Sequence, residues 1–226
     1  MSTPKKPRPP LRFSKIAKNH GDVRAVGPVS FTVNAGESVA LVGHNGSGKS
    51  TLLAIAAGVL DPSEGNMKVN GIDAGEPAAR AAVSYIRDHP VLYEDLTVRE
   101  HLDYLSRLHG STPEAHNADE LLNRLGLGGR ADDLPSTFSR GLRQKAAIAV
   151  ALCRPFATLL IDEPFSGLDD AGQRALLELI DEIRAEGGSV LVATHDQGAL
   201  KRFDRAVVLS EGELVFDGAV ADVPTH

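Results

Sequence analysis

The chain has 226 residues, of which 42% are apolar and 24% are charged, a composition typical of a folded, soluble protein. Its net charge of −6 and its pI of about 5.7 argue against nucleic-acid binding by the domain as a whole. The longest apolar runs are strand-sized and fall short of the ~20 residues that a membrane-spanning helix needs. Length and composition therefore predict one large domain that does not span a membrane.

Residues 1–10 are rich in proline and in basic side chains, and no apolar stretch of the kind found in secretory signals follows them. We predict a flexible, extended basic tail over residues 1–10, a folded domain over residues 11–226 and a cytoplasmic location. The single cysteine, Cys153, lies in an alanine-rich segment, which favours a small buried residue over a reactive one.

The next segments show strand and helix patterns in an order typical of α/β proteins. Residues 11–33 predict antiparallel strands, and an apolar strand over 38–42 leads through a glycine-rich loop into a helix over 49–57. Short strands follow at 66–69 and 83–86. Leucine and valine then recur every three or four residues, which predicts a helical insertion over about 96–140. The remaining patterns predict helices over 142–153 and 171–186, strands over 158–161 and 189–193, and a hairpin over 205–217.

The glycine-rich loop fits the pattern G-x-x-x-x-G-K-[ST]. Its glycines allow successive backbone N–H groups to turn towards a phosphate, the ammonium of a catalytic Lys49 can reach the β- and γ-phosphates, and the Ser50 hydroxyl can bind Mg²⁺. A chance match is the alternative, but strand, loop and helix occur in the order that phosphate binding requires. We predict an ATP site made by Gly43, His44, Asn45, Gly46, Ser47, Gly48, Lys49, Ser50 and Thr51.

Two carboxylates, Asp162 and Glu163, directly follow the apolar strand over 158–161. Ligands of doubly wound α/β proteins bind at the carboxyl edge of the sheet, where this pair is expected. We predict that Asp162 holds Mg²⁺ and that Glu163 is the catalytic base, which accepts a proton from the water that attacks the γ-phosphate. An acidic pair after a strand can also be a turn or a helix cap, and the phosphate loop is what favours catalysis.

Three further motifs accompany the acidic pair. Residues 138–145 are Phe-Ser-Arg-Gly-Leu-Arg-Gln-Lys, residues 166–169 are Ser-Gly-Leu-Asp, and residues 194–196 are Thr-His-Asp. With the phosphate loop, they resemble the signature sequence, D-loop and H-loop of the ATP-binding subunits of ABC transporters, over nearly the whole chain from about residue 11 to residue 218. The resemblance implies an α/β fold of the P-loop NTPase type, with an ABC-type ATPase core, an antiparallel β subdomain and a helical insertion.

The resemblance also implies roles for single residues. Ser139 and Gly141 would bind ATP held by a second ATP-binding subunit, because a hydroxyl and backbone N–H groups at a helix start can bind phosphate. His195 would act in catalysis by hydrogen-bonding the γ-phosphate and the attacking water. Asp169 would meet the partner's phosphate loop, although it is also placed to cap the helix over 171–186.

Four positions depart from the family pattern. His20 stands where an aromatic residue usually stacks on adenine; its imidazole has a flat π face, so we predict a contact with the base, with a surface turn histidine as the alternative. Asp88 takes the place of the Q-loop glutamine, and we predict that it is a Mg²⁺ ligand that alters hydrolysis or coupling. Arg140 and Leu142 replace a glycine and a glutamine of the signature, and Arg140 is expected either in solvent or near the partner's nucleotide.

The resemblance thus implies an ATP-binding and ATP-hydrolysing subunit of an ABC transporter, which acts at the cytoplasmic face of the membrane through separate transmembrane permease subunits. The family contacts its permease near residues 87–109, and residues 93–108 resemble exporter-type subunits, so export is favoured. A second ATP-binding subunit, identical or different, would complete two shared ATP sites. The alternatives are a soluble ABC ATPase of translation or DNA repair, and a regulatory module that binds ATP without hydrolysing it.

Overall fold

The structure, a computed structural model, describes residues 10–224, so the predicted basic tail over residues 1–10 lies outside it except for Pro10. Ten strands form two sheets: β1 (Leu11–His20), β2 (Val23–Val33), β3 (Ser38–Val42), β4 (Glu64–Val69), β5 (Ile72–Asp73), β6 (Val83–Ile86), β7 (Thr158–Asp162), β8 (Ser189–Thr194), β9 (Arg205–Ser210) and β10 (Glu213–Ala219). Seven helices lie between them: α1 (Lys49–Ala56), α2 (Pro77–Ala81), α3 (Val98–Leu108), α4 (Ala118–Arg124), α5 (Arg140–Leu152), α6 (Asp170–Ala185) and α7 (Gln197–Leu200).

The larger sheet has six strands in the order β10-β9-β3-β8-β7-β6. All neighbouring strands pair in parallel except the β9–β10 hairpin, which is antiparallel. The smaller sheet is antiparallel in its β1–β2, β1–β4 and β4–β5 pairs and has the order β2-β1-β4-β5. Parallel strands end at the same edge of a sheet, so the segments that follow β3, β6, β7 and β8 are brought together there.

Side chains of the large sheet alternate between two hydrophobic cores. In β7, Leu159 and Ile161 belong to the core that contains α5, α6 and the helical insertion, whereas Leu160 belongs to the core that contains α1 and the antiparallel sheet. All three side chains are fully buried, and burial of a leucine or isoleucine side chain contributes about 1.5–3 kcal/mol. The sheet is therefore covered on both faces, which explains why β7 is apolar along its length rather than alternating.

The structure confirms the α/β class, the antiparallel unit and the terminal hairpin, and it differs from the sequence expectations in some details. The short elements α2, β5 and α7 were not predicted, because each has five residues or fewer and no clear period. Helix α5 begins at Arg140, two residues earlier than expected, since Ser139 caps it by accepting a hydrogen bond from Leu142 N at 3.3 Å. Within residues 10–224, no helix is both long and apolar enough to cross a membrane.

Candidate nucleotide-binding site

The phosphate loop connects β3 to α1, and two of its glycines have no room for a side chain. Gly48 has a φ of +101°, and a Cβ placed on it would lie 2.7 Å from Val26 Cγ2 and 2.8 Å from the Ala25 carbonyl oxygen. A Cβ on Gly43 would collide with the Ser47 side chain and the Leu209 carbonyl oxygen. The loop backbone therefore has a shape that only glycine permits at these positions.

The start of α1 is free to receive an anion. Gly48, the residue before the helix, has no side chain that could cap the helix, and the first turn contains no acidic residue. The first N–H groups of a helix lack intrahelical partners and carry the positive end of the helix dipole. The buried Ser47 hydroxyl also has no hydrogen-bond partner among the residues that the structure describes. These unmet donors fit a phosphate group.

Lys49 lies over this loop with only 5% of its side chain exposed. Its Nζ donates to the carbonyl oxygens of Gly43 at 2.7 Å and His44 at 3.3 Å, and it is 3.4 Å from Glu163 Oε1. The ammonium is thus fixed at the mouth of the loop and faces the acidic pair. A negatively charged ligand in the loop would meet a positive charge that the fold has already placed there.

Glu163 follows β7 with a φ of +47°, in the left-handed region that non-glycine residues seldom occupy. Its backbone N–H donates to the Ala193 carbonyl oxygen at 2.9 Å, which extends the β7–β8 pairing by one residue. Its Oε2 is 2.8 Å from Nδ1 of His195, which follows β8. Glu163 therefore sits between Lys49 and His195, so the structure brings together all three residues predicted to be catalytic.

Asp162 is 4% exposed at the end of β7, and its Oδ1 has no hydrogen-bond partner among the described residues. Burial raises the pKa of this carboxyl; a hydrogen bond from Ser50 opposes the rise, and the nearby charges of Glu163 and Asp88 add to it. Asp162 thus lies at the same sheet edge as Glu163 and next to the phosphate loop, and the Mg²⁺ site of Ser50, Asp162 and Asp88 stays a prediction.

The donor set fits Mg²⁺ bound together with phosphates. Within residues 10–224 no cluster of three or more histidine, cysteine or carboxylate side chains could hold a metal by itself. Magnesium in nucleotide sites takes one or two protein oxygens, and phosphates and water supply the other ligands. The hydroxyl of Ser50 and the unpaired Asp162 oxygen are oxygen ligands of this kind.

The signature residues lie at the start of α5. Gly141 packs so closely that a Cβ on it would be 2.5 Å from the Gly167 carbonyl oxygen. Asp169 caps α6 by accepting from Gly172 N at 3.0 Å, and its carboxylate is 2.8 Å from Lys145 Nζ. Lys145 and this cap lower the pKa of Asp169. The cap was predicted, but the ion pair with Lys145 was not, because the two residues come from different helices.

His20 and Asp88 occupy separate places. His20 ends β1, pairs with Val23 across the turn and is exposed. Asp88 follows β6, and its two oxygens face nitrogen atoms: Oδ1 is 3.4 Å from Arg140 Nη2, and Oδ2 is 3.0 Å from His89 Nδ1. The Arg140 side chain is 60% exposed, in line with the expected solvent position, and it also reaches Asp88 of its own chain.

Comparison with known proteins assigns the family. Residues 26–166 match the family described as ABC transporter. The chain is 36% identical over 200 residues to the ABC-type transporter ATP-binding protein EcsA of Bacillus subtilis, covering 86% of this chain and 81% of that protein. It is 35% identical over 218 residues to the sulfate/thiosulfate import ATP-binding protein CysA of Synechococcus elongatus, covering 94% of this chain and 63% of that protein.

A solved structure of the ATP-binding subunit of an ABC transporter superposes with a TM-score of 0.87 at 34% identity, covering 94% of this chain and 90% of that one. Because the match covers 94% of this chain, it extends to most of the described architecture. With the phosphate loop, the acidic pair and the signature in place, the chain belongs to the ABC transporter family, as an ATP-binding subunit with an ABC-type ATPase core.

Proposed function

We propose that this subunit hydrolyses ATP with Mg²⁺ in a site shared by two ATP-binding subunits, and that hydrolysis drives transport through separate transmembrane permease subunits. The observation that carries the proposal is the position of Glu163, whose carboxylate lies 2.8 Å from His195 and 3.4 Å from Lys49 beside the phosphate loop. A base, a general hydrogen-bonding group and a fixed cation are thus gathered at one edge of the sheet.

Transfer of a phosphoryl group to water requires charge neutralisation and alignment more than covalent chemistry. Lys49 supplies positive charge at the loop, and Glu163 accepts the proton of the attacking water while His195 holds the base and the water in line. Mg²⁺, held by Ser50 and Asp162 with Asp88 nearby, would supply further positive charge at the phosphates.

One chain provides only part of this site. Ser139 and Gly141 are at the start of α5, where a hydroxyl and helix N–H groups can bind phosphate. A second subunit, packed head to tail, would place its Ser139 and Gly141 over the first subunit's ATP. In such a pair Asp169 would lie near the partner's loop, and His20 would contact the adenine.

The test of hydrolysis is Glu163→Gln. Removing a general base lowers turnover by about 10²-fold or more, whereas a neutral amide of the same shape leaves the phosphate loop intact. We expect the variant to bind a fluorescent ATP analogue as the wild type does and to release almost no phosphate. Glu178→Gln on the exposed side of α6 is the matched control. Full turnover in the Glu163 variant would remove the role of Glu163 as base.

A groove with both apolar and basic side chains near the base of the insertion supports a membrane partner. A groove of about 310 Å³ lies beside β6 and α3, and Tyr85, Arg87, Val91 and Leu105 contribute to its lining. Val91 is 88% exposed, and Leu108 at the end of α3 is 64% exposed. Large apolar side chains clustered on a surface commonly mark a binding site. We assign the permease contact to this groove and to residues 87–109 around it.

The partner test is co-purification with membrane proteins after mild detergent extraction of the native cell. A charge in the groove would have to be buried on binding, so Val91→Asp should reduce recovery of a multi-span membrane protein by at least about tenfold. Val215→Asp, which places the same charge on the 59% exposed side chain of β10, should not. Equal recovery with both variants would contradict the groove assignment, and no membrane partner with the wild type would favour a soluble ABC ATPase.

We favour export because residues 93–108 resemble exporter-type subunits. The relative named for sulfate and thiosulfate import is 35% identical, so overall similarity does not decide direction. Uptake and release of labelled compounds by vesicles that contain the co-purified permease would decide it, and ATP-dependent uptake into right-side-out vesicles would contradict export.

A further inference from the structure

Arg140 is the first residue of α5 and makes contacts that the other residues of its motif do not make. Its Nη2 donates to Ser166 Oγ at 3.0 Å and lies 3.4 Å from Asp88 Oδ1. Its aliphatic stem crosses Gly167, since a Cβ placed on that glycine would be 3.6 Å from Arg140 Cγ and Cδ. One side chain therefore touches two segments that are far away in sequence, one after β6 and one after β7.

Other contacts of α5 each reach one of these segments only, and the ion pair of Arg143 with Glu94 at 2.8 Å is the one that reaches the segment after β6. Gly141 packs against the Gly167 carbonyl oxygen, and Lys145 pairs with Asp169 at 2.8 Å. Both contacts join α5 to residues 166–169 and neither reaches the segment after β6. Among the described residues, Arg140 therefore makes the direct polar contact between the start of α5 and Asp88.

The charges of Arg140 and Asp88 also compensate each other. Ile86 of β6 pairs with Ile161 of β7 in parallel, so Asp88 follows a strand that ends beside Asp162 and Glu163, and an uncompensated charge at Asp88 would add to those two carboxylates. The family pattern has two uncharged residues, glutamine and glycine, at the positions of Asp88 and Arg140. An aspartate and an arginine in contact have the same net charge as that pair, which makes each departure compensate the other.

We propose that Arg140 is a positioning residue for ATP hydrolysis: it neutralises Asp88 and ties Ser139 and Gly141 to the segments after β6 and β7. The inference rests on the proposed hydrolysis. Both partners are partly exposed, so the interaction has the strength of a surface ion pair and acts through alignment and charge rather than by holding the fold together. Arg140→Ala should leave thermal stability and affinity for a fluorescent ATP analogue unchanged while it lowers kcat.

The experiment is a double-mutant cycle on the full chain with Arg140→Ala, Asp88→Asn and the double variant. Arg140→Ala leaves Asp88 unpaired and should lower kcat by about two- to fivefold, the range expected for an exposed ion pair. Adding Asp88→Asn removes the unpaired charge and should restore most of the loss. The effect of Arg140→Ala should shrink as salt rises, because exposed pairs are screened. Arg124→Ala, which breaks an ion pair between α4 and α6, is the control and should not change kcat.

Two results would overturn the proposal. If the losses from Arg140→Ala and Asp88→Asn multiply, Arg140 acts independently of Asp88, as it would if it contacted the partner's nucleotide. If the Arg140 Nε–H resonance in NMR spectra does not move on Asp88→Asn, the contact is absent. A wild-type chain that binds ATP but releases no phosphate would instead overturn the proposed hydrolysis, and the NMR measurement would still decide the contact.

Discussion

Glu163 combines an unusual backbone with a central side chain. Left-handed backbone in a residue other than glycine, asparagine or aspartate costs about 1–2 kcal/mol, and the fold must hold it in place. The bond from its N–H to Ala193 and the contact of its Oε2 with His195 supply that restraint. The same turn points the carboxylate at Lys49, so the strained residue is the one that the proposed chemistry depends on.

Cys153 is inert for a physical reason that can be tested. It is fully buried at the end of α5, and burial raises the pKa of its thiol, although a hydrogen bond with Ser106 opposes the rise. We expect iodoacetamide at pH 8 to alkylate it at least about a hundredfold more slowly in the native chain than in urea, since only transient opening exposes a thiolate. In a Cys153→Ala background, an exposed cysteine introduced by Val215→Cys should react quickly without urea. Rapid native labelling of Cys153 would contradict its burial.

Helix α3 begins with a capping box, in which Thr97 Oγ1 accepts from Glu100 N and Glu100 Oε2 accepts from Thr97 N at 2.7 Å. The bond from Thr97 N and a second bond to the carboxylate, from the Thr97 hydroxyl at 2.9 Å, lower the pKa of Glu100, so the carboxylate form is favoured in the folded chain. A group whose pKa is lower in the folded state stabilises the fold above its unfolded pKa, and this stabilisation is lost as the pH falls through the folded value.

We therefore expect Glu100→Ala to lower the Tm at neutral pH and to have little effect once the pH is below the native pKa of Glu100. Differential scanning fluorimetry from pH 7 down to pH 3 measures this difference. Glu120→Ala is the control, because Glu120 lies in the first turn of α4 but makes no described side-chain hydrogen bond. A Tm difference for Glu100→Ala that stays constant over this range would show that the cap does not depend on the carboxylate.

Among the secondary-structure elements, the sequence predicts those features that depend on consecutive residues or on a regular spacing of apolar residues. The phosphate loop could be predicted because its glycines, Lys49 and Ser50 are consecutive, and the acidic pair because it directly follows a buried strand. The contact of Glu163 with His195 follows once β7 and β8 are neighbours in a parallel sheet. The pairs Arg140–Asp88 and Lys145–Asp169 could not be predicted, since each joins exposed or polar residues whose meeting depends on how α5 packs.

In the proposed shared site, each chain contributes two surfaces. One end of the parallel sheet has the loop, Lys49 and the acidic pair, and the start of α5 has Ser139 and Gly141. If two copies pack with twofold symmetry, each surface meets the other kind, and both ATP sites are completed at once. Asp169 and Arg140 lie near Ser139 and Gly141, so their contacts within one chain also help to determine the surface that the partner subunit would bind.

This arrangement predicts that two inactive variants complement each other. Lys49→Ala inactivates a chain's own phosphate loop but leaves Ser139 and Gly141 intact. Ser139→Arg blocks the start of α5 but leaves the phosphate loop intact. In an equal mixture about half of the dimers contain one of each, and each of these has one intact site, so phosphate release should rise to as much as about a quarter of the wild-type rate. A chain with both changes, mixed with either single variant, can form no intact site and should restore nothing. If the complementary mixture is as inactive as either variant alone, the site is not built from two copies of this chain, and the second ATP-binding subunit must be a different protein.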